Sequence, residues 1–193
     1  MVLNEKLYTV DDLWAMDHDP DLEHRKFYLI DGVLYEDEMP KRPHGRLQIR
    51  IGHFLYEYEE QFGLGEATSE VGYYPSDTRH TALLPDVAFQ RFDRLPDPPP
   101  EGYVPQMPDL AVEIKSPSDT LKKLRQKARA YLENGTTIVW LVQPEKQGVE
   151  VCRLDEAGAM QSDFKRQGDL LGSYDIMPGF ELAVDRLFPP ESS

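Results

Sequence analysis

The chain has 193 residues, one cysteine and a formal net charge of -14. A length of this order fits one domain with a full core, so residues 1–193 are expected to form a single unit. Cys152 alone excludes an intramolecular disulfide, and no apolar run reaches the ~18 residues that a spanning helix needs. A soluble, cytoplasmic protein with no membrane partner is the expectation.

Such acidity argues against a general nucleic-acid binder, because phosphate contacts need clustered Lys and Arg to displace counterions. The cations are nevertheless clustered. Residues 41–50, KRPHGRLQIR, hold four Lys/Arg and no acid, and residues 115–129, KSPSDTLKKLRQKAR, hold six against Asp119. Much of the acid lies in residues 1–40, with eleven Asp/Glu against three Lys/Arg. That excess reads either as a solvated face or as a charge that keeps wrong partners away.

In chain order, YTVDDLWAM at 8–16 predicts a short helix capped by Thr9 ahead of an acidic first turn. FYLIDGVLYE at 27–36 predicts a hairpin, since Asp-Gly between two apolar runs tolerates positive φ at both turn positions. From Pro43 to Phe62, apolar residues at steps of three and four predict an amphipathic helix stopped by Gly63. Strand-like runs follow at EATSEVGYYP and at PDVAFQ, 85–90. The six prolines of residues 91–108 exclude a central strand or continuous helix, so a surface loop is expected there. Then come a strand at DLAVEIK, a helix from Ser118 to Asn134 closed by Gly135, and strands at TIVWLVQP and GVEVCRL. The last thirty residues, ending in GFELAVDRLFPP, read as further strand or a turn of helix. The fold class is α/β, a mixed central sheet flanked by helices with an N-terminal β-hairpin.

The central chemical candidate is Pro85-Asp86 followed by Glu113-Ile114-Lys115. In DLAVEIK, alternate residues Asp109, Ala111, Glu113 and Lys115 share one strand face. Asp109 falls ~13 Å along the strand from Glu113, too far to share an ion, whereas Lys115, ~7 Å on, can converge with it. Asp86 opens a separate strand that can lie opposite Glu113. Two carboxylates suit Mg2+, which takes oxygen ligands and keeps several waters. An adjacent ammonium can orient a water or stabilise developing charge. Glu-x-Lys is also common as the polar face of a half-exposed strand. On the following helix, Leu124, Ala128, Tyr131 and Leu132 mark the buried arc, with Lys127 at its edge, able to snorkel towards Lys115 or to hold its head in water. Lys123 lies farther round, on a solvated or phosphate-facing surface. His44 and Arg46 belong to the basic segment at the start of the long helix, where a phosphate contact is one reading and a structural role the other.

Taken together, YTVDDL, FYLIDGVLYE, RPHGRLQIRIGHFL, LPDVAF, MPDLAVEIKSPSD, KARAYLENG and IVWLVQP resemble the Uma family of putative restriction endonucleases, a branch of the PD-(D/E)XK nuclease superfamily. The resemblance implies a restriction-endonuclease-like fold, with Asp86 and Glu113 as metal ligands and Lys115 as the catalytic lysine. It also puts Lys127 and Tyr131 where the family has a helix lysine and tyrosine beside the site. This chain departs from the family in two places. Many members lack a lysine where Lys115 stands, and Tyr28 replaces a glutamate usual at that point of the hairpin.

The function implied is Mg2+-dependent endonucleolytic hydrolysis of DNA, with Mn2+ as a substitute, through catalytic Asp86, Glu113, Lys115 and Lys127. His44, Arg46, Lys123 and Tyr131 are the residues expected at the substrate. A homodimer is the expected assembly, since cutting both strands commonly needs two sites. The competing readings are a non-catalytic binding or accessory module that keeps the fold, and a metal-dependent hydrolase of some other phosphodiester.

Overall fold

Asp31 and Gly32 both take positive φ, 51° and 78°, and close a hairpin in which β1 (Lys26–Ile30) pairs antiparallel with β2 (Val33–Asp37). The computed structural model in which this is seen describes residues 6–37, 39–98, 100–172 and 174–189. Helix α1 (Val10–Asp17) precedes the hairpin and starts at the expected cap. Thr9 accepts from the Asp12 N–H while Asp12 accepts from the Thr9 N–H, a reciprocal capping box. Helix α2 (Arg42–Phe62) ends at Gly63, whose φ of 60° provides the left-handed cap.

The main sheet has six strands in the order β3-β4-β5-β6-β7-β8: Gly65–Thr68, Val87–Arg91, Leu110–Ile114, Ile138–Gln143, Gly148–Leu154 and Met160–Lys165. Only β5 and β6 run parallel, and α3 (Leu121–Glu133) crosses between them. A small antiparallel pair, β9 (Leu170–Gly172) with β10 (Glu181–Ala183), and α4 (Val184–Leu187) resolve the C-terminal region that the sequence left between strand and helix.

Alternation along the strands divides the core in two. Val87, Phe89, Leu110, Val112, Trp140 and Val142 face α2, α4 and the C-terminal segment. Ala88, Ala111, Val139, Leu141 and Cys152 face α1, the hairpin and α3. Glu113 keeps the parity of Ala111, so its carboxylate is sent into the α3 layer.

The elements differ from expectation in two places. Helix α3 begins at Leu121 and not Ser118, because Thr120 is its cap and Asp119 is spent on a turn, accepting from both the N–H and the hydroxyl of Ser116. Of EATSEVGYYP only the first residues form a strand; Tyr73 instead makes single bridges to Leu83 and Val104. Those bridges also pin the proline-rich loop, with Val104 N–H donating to the Gly72 carbonyl at 2.8 Å. No described helix is long and apolar enough to cross a membrane.

Candidate active site

The β4–β5 register pairs Val87 with Val112, and one step outward sets Asp86 opposite Glu113. Asp86 is locked there from both sides: its N–H donates to the Val112 carbonyl at 3.0 Å, and Oδ2 accepts from the Ile114 N–H at 2.7 Å. Its own carbonyl accepts from Gln48 and Ser69. Both carboxylates sit where α3 departs from the carboxyl end of β5, the usual position of ligand sites in α/β sheets.

Glu113 is 5% exposed, and each of its oxygens has one donor. The Tyr131 hydroxyl donates to Oε1 at 2.7 Å, and Lys127 Nζ donates to Oε2 at 2.7 Å. Lys127 also donates to Asp37 Oδ2 at 2.8 Å and stands 4.6 Å from the centre of the Tyr28 ring. Thus Tyr28 presents an aromatic face to the ammonium, and an acid reaches it from Asp37 at the end of the paired strand. Lys123 reaches the other Asp37 oxygen at 3.1 Å. At Asp86, His44 Nε2 stands 3.0 Å and Lys26 Nζ 3.8 Å from Oδ1.

These charges pull the two acids apart. Burial pushes Glu113 up to about 7; Lys127 opposes that, while Asp86 and Asp37 add to it. Burial would raise Asp86 too, but His44, Lys26 and Lys127 outweigh it and leave it below its ordinary value. Burial works against the charge of Lys127, yet Glu113 and Asp37 hold it firmly protonated. His44 is likewise desolvated, and Asp86 beside it raises it above its usual range. Separating the titrations of neighbouring groups in this way is a common mark of acid–base sites.

The cavity lined by Asp37, Asp86, Glu113 and Lys127 has a volume of about 30 Å3, room for a water- or ion-sized occupant. Among the described residues no three His, Cys, Asp or Glu side chains form a ligand cluster. The donor chemistry still fits a hard divalent cation. Each oxygen of Asp86 and Glu113 has a partner but keeps a lone pair, and Mg2+ takes one or two carboxylates and fills the rest with waters and phosphate oxygens.

Of the sequence-derived residues, Asp86, Glu113, Lys127, His44 and Lys123 line this one cavity. Lys115 does not join them. Regular strand ends at Ile114, the alternation stops with it, and the Lys115 amine lies 3.3 Å from Glu145 and 3.2 Å from the Ser116 carbonyl. Lys127, read as an edge residue, is 3% exposed, drawn in by two acids. Tyr131, expected at the substrate, is fully buried behind Glu113 and acts on that carboxylate instead. Arg46 is exposed on α2, outside the cavity wall. Asp109 belongs to the far end of β5, held by Arg94 and the Arg91 N–H. Sequence reasoning missed Asp37 and Lys26. They face each other in the hairpin register, which Asp-Gly alone would have given by counting outward from the turn.

The family model described as Uma2, "Putative restriction endonuclease", matches residues 11–185. Among solved structures, the fold is similar to the crystal structure of a putative nuclease belonging to DUF820 from Anabaena variabilis. The TM-score is 0.75 at 21% identity, covering 94% of this chain and 97% of that one. No curated protein matches the chain. With nearly its whole length matched, the chain belongs to the Uma2 family.

Proposed function

We propose that the chain is a metal-dependent endonuclease that hydrolyses DNA phosphodiesters at Asp86, Glu113 and Lys127. The observation that carries this reading is the juxtaposition of two buried acids, Asp86 just before β4 and Glu113 in β5, with a buried lysine 2.7 Å from one of them. The match to a family described as restriction endonucleases supports the choice of DNA.

Asp86 and Glu113 would hold Mg2+, or Mn2+ in its place, and the bound ion would polarise a phosphoryl oxygen and acidify its water. The remaining work falls to the chain's own groups. Asp86 is fixed by the Ile114 N–H, so its free lone pairs have one direction. Tyr131 and Lys127 orient Glu113 from two sides, which leaves it no alternative rotamer without breaking a buried hydrogen bond. Lys127, kept charged in a desolvated site, faces the charge that develops on the phosphate, where a preorganised cation is worth most. Lys123 and His44 on the cavity wall would bind the phosphate. The two basic segments of the sequence meet here, since 41–50 supplies His44 and 115–129 supplies Lys123 and Lys127.

A second reading, a non-catalytic module, is favoured by one observation: Lys127 is closed between Asp37 and Glu113. Plasmid DNA incubated with the protein in Mg2+ and in EDTA separates the two. The nuclease reading expects nicked or linear product in Mg2+ alone, which Asp86→Asn abolishes; binding without any product supports the module.

A further inference from the structure

Beside the charged cavity, and sharing His44 and Ser116 with it, lies a cleft of about 350 Å3 with different walls. Pro43 from the first turn of α2, Pro117 after β5 and Pro144 after β6 contribute rigid apolar faces without amide donors, and Met39 adds another, with Lys41 beside it. Its polar groups are few. Lys115 Nζ and Glu145 Oε1 stand 3.3 Å apart, a donor beside an acceptor. His44 Nδ1, on the shared wall, is buried with no hydrogen-bond partner among the described residues.

We infer that this cleft takes one unpaired nucleobase adjoining the phosphate held at Asp86 and Glu113, so that the substrate is single-stranded or locally unpaired DNA. The inference rests on the nuclease reading of the charged cavity and adds the form of its substrate. The cleft's volume falls at the lower end of small-ligand sites, ~300 Å3 and upward, and its mostly apolar lining with a few polar groups has their usual character. Proline faces can cover both sides of a flat ring without burying an unpaired amide. Every base has a donor beside an acceptor on its pairing edge, so Lys115 and Glu145 suit all four. They can do so only when that edge is free of a partner strand. The shared His44 wall ties base and phosphate to neighbouring positions of one strand.

The test uses the full chain in Mg2+ with end-labelled single-stranded oligodeoxynucleotides in which one abasic position is walked along a fixed sequence. Cleavage at a given phosphate should fall about tenfold when the missing base occupies one fixed offset from it, the size expected for losing the burial of one flat ring against apolar walls. Other offsets should leave it unchanged, and a bulged duplex should be cut faster than the fully paired one. Cleavage indifferent to the abasic position, with paired duplex cut as fast as single strand, overturns the base cleft and leaves the nuclease reading standing. Absence of cleavage on every substrate overturns the nuclease reading itself.

Discussion

Lys127 Nζ lies 2.7 Å from Glu113 Oε2, bridging α3 and the sheet, while Lys115, two residues beyond Glu113, turns to Glu145. On the proposed nuclease reading, Lys127 and not Lys115 is the amine that serves the site. Lys127→Ala should lower cleavage by ~10² to 10³, the usual loss for one preorganised charge. It should also destabilise the fold by about 3–5 kcal/mol, because Glu113 is left buried without its cation, while Asp37 keeps Lys123. Lys115→Ala should cost about fivefold or less in cleavage, the effect of losing one polar contact of ~1 kcal/mol outside the charged cavity. Urea denaturation and plasmid cleavage on both variants check this; an inactive Lys115 variant beside an active Lys127 variant would reverse the assignment.

Tyr131→Phe removes one donor from Glu113 and keeps the ring. The expected change is ~10- to 100-fold in Mg2+ half-saturation or activity, as for other groups that orient a metal-binding side chain. The stability loss should be only about 1 kcal/mol. A Mg2+ titration of cleavage, read against the melting temperature, separates this from general unfolding.

Lys41 and Lys123 come from the two basic segments and line the two adjoining clefts. Changing each to glutamine should lower the slope of log affinity against log salt by about 1 per residue, since fewer counterions are released. Arg46→Gln, outside both linings, should leave the slope where it is. Anisotropy titrations across a salt series measure all three.

Far from the site, the capping box of α1 gives a stability prediction with a definite pH sign. Asp12 is held down to about 2 from an ordinary 3.8, chiefly by Lys6 and then by the Thr9 N–H. Its contribution is therefore present above about pH 4 and lost as the pH falls towards 2. The urea midpoints of wild type and Asp12→Asn should differ at pH 7 and converge on acidification. Thr9→Ala should cost about 1 kcal/mol.

Much of this fold was legible because local rules and tertiary structure agree. Asp-Gly closes the hairpin, Gly63 ends α2, and the apolar spacing of 47–58 matches the face that α2 buries. The first half of the site was legible for a related reason: strand alternation and one register put Asp86 opposite Glu113. Lys115 was misplaced because alternation holds only while the strand does, and the Ser116–Asp119 turn ends it. The depth of Lys127 could not be read from a helical wheel, which scores a lysine as polar. Its burial depends on two acids, one of them on a hairpin ninety residues earlier in the chain. Asp37 escaped notice for the same reason, as its importance comes from a contact and not from a motif.

The most direct test of the proposed active site is Mg2+-dependent cleavage of plasmid or single-stranded DNA by wild type, Asp86→Asn, Glu113→Gln and Lys127→Ala, each checked for folding by circular dichroism. A nuclease built on these residues gives product from wild type in Mg2+, none in EDTA, and loss of ~10² or more in every folded variant. Cleavage at the wild-type rate by all three variants would contradict it.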